Sequence, residues 1–257
     1  ALVGVNFGKQ ASIQLPVTIS PKRIIFYGIE YRDPTLRFCG TSMRGVAEDF
    51  HPMRGLISNA PVDYAMNSGV LHSAISVGVI CPCEHNQKFA QFISGLNRQS
   101  QAKHNTDYLI SFPGFYRAFK TGLDLPDPNS SKWKQITASS EWDVHKAAVE
   151  FGDSITRKID QLSANSIDVI LIYIPKEYEV FTSYADGTVN YDLHDYIKAY
   201  AAQKQVATQF VREKTIESDL HCQIMWALSL ALYVKSGRTP WVVNGIQPDT
   251  AFAGIGY

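Results

Sequence analysis

The sequence has no predominant charge and little cysteine. It contains 24 Lys+Arg and 24 Asp+Glu in 257 residues, a formal net charge of +0. No whole-molecule field therefore attracts a polyanion, and any contact with nucleic acid has to be local. The four cysteines are too few and too irregularly spaced for a disulfide framework, and Cys81-Pro82-Cys83 is too tight for a zinc knuckle. We expect free thiols in a reducing cytoplasm.

Long apolar runs are also missing. The longest, from Cys222 to Val234, is interrupted by Gln223 and is shorter than the roughly 18 residues that indicate a membrane span. No charged-then-apolar leader opens the sequence. We expect a soluble cytoplasmic protein that has no membrane partner.

Several common enzyme motifs do not occur in intact form. The segment Gly4–Gln10 imitates a phosphate-binding loop but has one residue too few between its glycines and no Ser or Thr for magnesium. The turn at Cys81–His85 has no glycine fingerprint for a dinucleotide. No Gly-x-Ser-x-Gly elbow and no metallohydrolase pair of histidines is present. Dehydrogenases and conventional hydrolases are not indicated.

The pattern of apolar residues changes near residue 74. Residues 1–60 hold short apolar bursts divided by proline and glycine, namely Ile13–Ile19, Arg23–Ile29 and Leu36–Cys39, which predicts a β-rich lead-in. After residue 74 apolar runs alternate with helical periodicity. The predicted strands are Ala74–Ile80, Tyr108–Phe112, Ile167–Ile174, Val206–Val211 and Trp241–Val243.

The predicted helices lie between these strands at Asn86–Arg98, Glu141–Ser163, Asp192–Gln203 and Ser218–Ser236. The polar, proline-bearing stretch at 122–140 is interpreted as a surface loop or insertion. Strands that alternate with helices predict an α/β fold, with a doubly wound, Rossmann-like parallel sheet covered on both faces.

The aromatic segment Phe112–Tyr116 has two interpretations. Its rings could stack on nucleic-acid bases, but an apolar corner at the end of a strand is the more frequent use of such a cluster. We favour the core interpretation.

Four polar residues are predicted to converge near one edge of this sheet. His194 and Lys198 are four apart and share a helix face, Gln209 lies in the next strand, and Lys235 closes the helix that follows. Taken alone, a His/Lys pair is usually a solvated helix face. Together, two ammonium groups, an imidazole and an amide could surround a terminal phosphate.

At these residues the sequence resembles the MID domain of Argonaute proteins, and more closely the short prokaryotic Argonautes. The resemblance rests on three motifs, His194-Asp195-Tyr196-Ile197-Lys198, Thr208-Gln209-Phe210-Val211-Arg212-Glu213 and Trp226-x6-Tyr233-x-Lys235-x-Gly237-x-x-Pro240-Trp241. It is specific over residues 165–257 and looser before them. It implies a β-rich segment at 1–60, a MID domain at 61–248 and the first strand of a PIWI domain at 249–257.

The resemblance also implies roles for single residues. His194, Lys198, Gln209 and Lys235 fall where the family binds the 5′-phosphate of a guide strand, and Arg212 and Lys204 are candidates for further guide contacts. Gly256 takes the place of the first catalytic aspartate of slicing Argonautes. Because metal-dependent phosphodiester cleavage needs closely placed carboxylates, we expect a binder and no slicer. A Mg²⁺ ion at the guide 5′ end is typical of the family, but its ligands here cannot be assigned.

Implied partners are a guide RNA or DNA, a complementary single-stranded target, and an effector subunit that carries an APAZ region with a TIR, sirtuin-like or nuclease domain, in prokaryotic defence. Two alternatives remain. A doubly wound enzyme or binder of a phosphorylated small molecule could use the same four residues. A scaffold for a partner could retain the pocket only as a vestige.

Overall fold

The computed structural model describes residues 34–41, 45–66, 73–103, 108–137, 143–187 and 189–246, and the backbone of two earlier strands. The chain divides into two units, Ala1–Asp33 and Pro34–Tyr257. In the first, β1 (Leu2–Phe7) and β2 (Ala11–Pro16) form an antiparallel pair. Gly4, which opens the imitation phosphate loop, therefore lies in a strand. The predicted burst at Arg23–Ile29 and the segment 249–257 with Gly256 lie outside the described residues.

The larger unit is built on a parallel sheet. β5 (Ile75–Pro82) pairs with β8 (Val169–Ile174), and β8 pairs with β11 (Ala207–Arg212). All six residues of β8 are buried, as an apolar strand covered on both faces must be. Three predicted strands are thus confirmed, each within a residue or two of its expected bounds.

The other side of β5 shows a correction. Two short strands, β6 (Leu123–Asp124) and β7 (Trp133–Ile136), pair in parallel with the beginning and the end of β5. They come from the stretch 122–140 that the sequence predicted to be a surface loop. Trp133 is buried and donates its Nε1–H to Asn86 Oδ1 at 2.7 Å, which adds a side-chain contact to the backbone pairing of β7 with β5.

The predicted strand Tyr108–Phe112 is wrong. Its Ile110 carbonyl accepts a hydrogen bond from Trp226 Nε1 at 2.9 Å, and Phe112 packs edge-on against the Trp226 ring with centroids 5.2 Å apart. Phe112 and Phe115 are both 0% exposed, which confirms the core interpretation for these two rings, whereas Tyr116 is 66% exposed and does not belong to the core. The backbone here binds a side chain of α8 instead of a neighbouring strand, and an isolated β-bridge joins Ser100 and Phe112.

Helices cover both faces of the sheet, which confirms the doubly wound α/β prediction. On one face, α3 (Asn86–Ser94), α4 (Phe115–Phe119) and α8 (His221–Lys235) pack in one apolar cluster with side chains of β5, β8 and β11. On the other, α5 (Val144–Ser163) and α6 (Leu193–Gln203) form a second cluster with the alternate side chains of β5 and β8. The two clusters follow from the alternation of side chains along each strand.

Smaller elements complete the larger unit. β3 (Leu36–Cys39) pairs with β4 (Val46–Asp49) and with β12 (Val242–Val243), always antiparallel. The predicted strand at Trp241–Val243 therefore joins this separate sheet instead of the parallel one. The short helices are α1 (Pro52–Ser58), α2 (Asp63–Met66) and α7 (Glu213–Ile216), and β9 (Ser183–Asp186) with β10 (Val189–Asp192) forms a hairpin before α6.

The state of the cysteines and the apolar content of the helices were also predicted from the sequence. Cys39, Cys81 and Cys222 are buried free thiols and Cys83 is an exposed one, which agrees with the absence of a disulfide framework. Among the residues that the structure describes, no helix combines the length and the apolar content needed to cross a membrane.

Candidate functional site

β11 forms one edge of the parallel sheet, and three of the four predicted site residues donate hydrogen bonds to its backbone carbonyl oxygens. Lys198 of α6 donates from Nζ to the Thr208 carbonyl oxygen, and Lys235, the last residue of α8, donates to the same oxygen at 2.6 Å. Gln209 Nε2 donates to the Phe210 carbonyl at 2.9 Å. Because α6 and α8 pack on opposite faces, the two lysines reach the strand edge from both sides.

The fold places these groups by simple local rules. Ala207 and Val211 pack with α8, so by alternation Gln209 lies on that same face, while Phe210 packs with α6 on the other. α6 begins at its N-cap Asp192, whose carboxylate accepts the Asp195 N–H at 3.0 Å. This cap fixes the start of the helix that carries Lys198.

The electrostatics of the lysine pair are unusual. Burial is the largest of the effects that together lower the pKa of Lys235 to about 8, and the contact with Lys198 and its charge act in the same direction. Within the described residues neither ammonium group has a carboxylate at ion-pair distance. Two cations therefore share one neutral carbonyl oxygen, an arrangement that an anion with several oxygens would stabilise.

Thr208 itself has a polar group without a partner. Its hydroxyl oxygen is buried and has no hydrogen bond within the described part of the chain. No sequence motif assigns Thr208 a role of its own, because the carbonyl on which the lysines meet belongs to the backbone and has no signature in the sequence. Only the three-dimensional arrangement identifies it.

His194 lies one helical turn before Lys198 and does not join the lysines at Thr208. Its ring packs against Phe210 with centroids 5.4 Å apart, and its Nδ1 lies 3.1 Å from Asp195 Oδ1. It lines a cavity of about 160 Å³ with Ile174, Phe210 and Arg212. This cavity lies beyond the carboxyl ends of β8 and β11, where doubly wound folds place ligands.

The two candidates for further guide contacts, Arg212 and Lys204, lie in different surroundings. Arg212 ends β11, is exposed and lines the same cavity as His194. Lys204 follows α6 and is engaged elsewhere. Its Nζ pairs with Asp160 at 2.9 Å and lies 5.3 Å from the centre of the Tyr200 ring.

In the part of the chain that the structure describes, two groups of side chains have the composition and spacing to hold a metal ion. In each, the ligand atoms lie within 4.8 Å of one another; the groups are Asp192, His194 and Asp195, and Glu84, His85 and Glu177. The first adjoins the cavity. In the second, His85 Nε2 already lies 2.5 Å from Glu177 Oε1, and Tyr178 donates to Glu84 at 2.7 Å.

No protein-family model and no curated protein matches this sequence. Solved structures match the fold. The structure of Aa-Ago with externally bound siRNA aligns with a TM-score of 0.51 and 13% identity, over 82% of this chain and 24% of that one.

The chain has the fold of an Argonaute fragment. Drosophila Piwi (TM-score 0.49, 15% identity, 83% of this chain and 23% of that one) and Clostridium butyricum Argonaute bound to a guide DNA and a target DNA (0.48, 13%, 85% and 25%) are also similar. This chain spans about a quarter of the length of each of these Argonaute-type proteins. The likeness confirms the Rossmann-like sheet, and the fold is what it establishes.

Proposed function

We propose that this chain binds the 5′-phosphate of a guide nucleic acid. The bound guide would then recognise single-stranded targets by base pairing. The observation that carries the proposal is the meeting of the Lys198 and Lys235 ammonium groups on the Thr208 carbonyl. A terminal phosphate carries close to two negative charges and several acceptor oxygens. With a phosphate bound, each lysine would donate to its own phosphate oxygen, whereas the two lysines now share the neutral Thr208 carbonyl oxygen.

Gln209 and His194 have secondary parts in this proposal. Gln209 adds an amide donor on the α8 side of the same strand edge, and its present bond to the Phe210 carbonyl can be exchanged for one to a phosphate oxygen. His194 and Arg212 line the neighbouring cavity, where they would contact the first nucleotides. Base pairing then supplies sequence specificity and the protein supplies the anchor.

Similar proteins provide support of a more general kind. The structure of Aa-Ago, whose fold this chain resembles, was solved with an externally bound siRNA. The Argonaute fold supports a nucleic-acid guide for this chain. The sequence resemblance to short prokaryotic Argonautes favours RNA.

The absence of slicing, the effector subunit and the role in defence are proposed from the sequence alone. The absence of slicing rests on Gly256 in the place of a catalytic aspartate. The APAZ-containing effector subunit and the role in prokaryotic defence rest on the resemblance. A Mg²⁺ ion at the guide end would find carboxylates in Asp192 and Asp195.

The test is fluorescence-anisotropy binding of one short RNA, labelled at its 3′ end, with either a 5′-phosphate or a 5′-hydroxyl. We expect the wild-type chain to prefer the phosphate at least tenfold, and Lys198→Ala and Lys235→Ala each to remove most of that preference, since a charge-assisted hydrogen bond contributes about 1.5–3 kcal/mol. Lys146→Ala, which removes an exposed lysine of α5, is the matched control. Equal and weak binding of both RNAs by a folded chain would contradict the proposal.

The His194–Arg212 cavity favours one alternative, a site for a phosphorylated small molecule, because it lies at the usual ligand position of a doubly wound sheet. The same assay separates the two by competition. For a guide anchor, a nucleoside monophosphate competes far more weakly than a 5′-phosphorylated RNA. For a metabolite site, the monophosphate binds at least as tightly as the RNA.

A further inference from the structure

The end of α8, where Lys235 lies, is tied to α2 by a buried carboxylate. Asp63 is 5% exposed and accepts hydrogen bonds from the Tyr233 hydroxyl, at 2.9 and 3.0 Å to its two oxygens. It also accepts the Thr239 N–H at 3.2 Å. One carboxylate thus holds the chain two residues before Lys235 and four residues after it.

Tyr233 has little freedom to leave this position. Its ring is 0% exposed and stacks on Phe119 with centroids 4.6 Å apart. The guanidinium carbon of Arg238 lies 5.7 Å from the ring centre, and that guanidinium donates to Ser73 O at 2.6 Å and to Thr121 Oγ1 at 3.1 Å. Burial, and then the charge of and hydrogen bond to Asp63, raise the pKa of the Tyr233 hydroxyl, so it stays a proton donor.

The turn that follows Lys235 is fixed by the same region. Gly237 has φ +79°, the left-handed conformation that ends α8. The Pro240 carbonyl then accepts the Val62 N–H at 3.0 Å, next to Asp63 in sequence. The last turn of α8 is therefore held at both ends while its Lys235 side chain reaches out to β11.

We infer that Asp63 and Tyr233 are positioning residues for the Lys235 ammonium group. A lysine side chain has four rotatable methylene groups, so its charge is located well only where its backbone is fixed. The hydrogen bonds between Asp63 and Tyr233 fix the end of α8 from its buried side. Neither residue would itself contact a ligand. The effect of this pair on phosphate binding rests on the proposed function, whereas its effect on the position of Lys235 does not.

The experiment compares Tyr233→Phe with Tyr178→Phe. Both remove the hydroxyl of a buried tyrosine that donates to a carboxylate, but Tyr178 packs on the other face of the sheet and donates to Glu84. The first readout is the affinity ratio of 5′-phosphorylated to 5′-hydroxyl RNA. The second, which needs no RNA, is the rate of Lys235 acetylation against pH, followed by mass spectrometry.

Tyr233→Phe is expected to lower the phosphate preference about fivefold and to move the Lys235 titration upward from about 8, because a released lysine turns away from Lys198 into water. Tyr178→Phe is expected to leave both readouts within about twofold of wild type. Asp63→Asn, which replaces one acceptor oxygen with a donor, should act in the same direction as Tyr233→Phe.

The outcomes separate the two ideas. An unchanged Lys235 titration in Tyr233→Phe would overturn the positioning role, whatever the RNA data show. A wild-type chain without phosphate preference, but with a Lys235 titration that responds to Tyr233→Phe, would overturn the proposed function and leave the positioning role supported.

Discussion

The ammonium group of Lys235 is partly buried and faces a second ammonium group. In the folded chain its pKa is lowered from the ordinary lysine value of 10.5 to about 8, and the unfolded chain keeps the higher value. Between these two values the folded state binds fewer protons than the unfolded state, so stability rises with pH across that window. Below pH 8 the lysine is charged in both states and the cost of holding it beside Lys198 is present in full.

This titration predicts how phosphate binding depends on pH. Because the anion needs a protonated Lys235, the affinity for 5′-phosphorylated RNA should fall as the pH rises above about 8, by up to about tenfold per unit. Lys235→Arg keeps its charge at high pH and should show a much flatter profile. Anisotropy titrations from pH 7 to 9.5, with 5′-hydroxyl RNA as control, measure it. Parallel profiles for wild type and Lys235→Arg would contradict the assignment.

Among the elements, those with strong local patterns were predictable. The apolar stripe of α5 and the β-branched run of β8 give clear periodicities, and both elements appear close to their predicted bounds. The Tyr108–Phe112 segment has the composition of a strand as well, but its carbonyl at Ile110 binds Trp226 from α8. Which backbone a segment pairs with depends on distant residues, so composition alone does not decide it.

The packing of α1 on β3 gives a prediction at this scale. A Cβ added at Gly55 would lie 2.2 and 2.3 Å from ring atoms of Phe38, which is fully buried. Gly55→Ala is therefore expected to lower the free energy of unfolding by about 1–3 kcal/mol. In the control Gly95→Ala the nearest atom is Met225 Sδ at 3.4 Å, an ordinary contact. Urea unfolding of both variants measures the difference, and equal stabilities would show that Phe38 yields without cost.

For the whole molecule, the absence of net charge is the property that bears on function. With +0 formal charge, the attraction to nucleic acid is expected to come from local groups such as Lys198 and Lys235. Each phosphate charge neutralised on a single strand contributes about 0.7 to the slope of log K against log salt, and a terminal phosphate carries close to two charges, so the anchor predicts a slope of about −1.4. A 5′-hydroxyl RNA should give a slope closer to zero. A slope of −4 or steeper in anisotropy titrations over a salt series would indicate a broad basic surface and contradict a local anchor.

The sequence by itself determined the α/β class, the two-sided cover of the sheet, and the identity of Lys198, Gln209 and Lys235 as residues of one region. These follow from periodicity and from the order of elements, which are local properties of the chain. The tertiary structure alone decided that residues 122–140 supply two sheet strands and that His194 lies apart from the lysines. It alone brought both lysines to the Thr208 carbonyl. That meeting joins α6, β11 and α8 across a sheet edge, and long-range packing, which leaves no periodic signal, sets such distances.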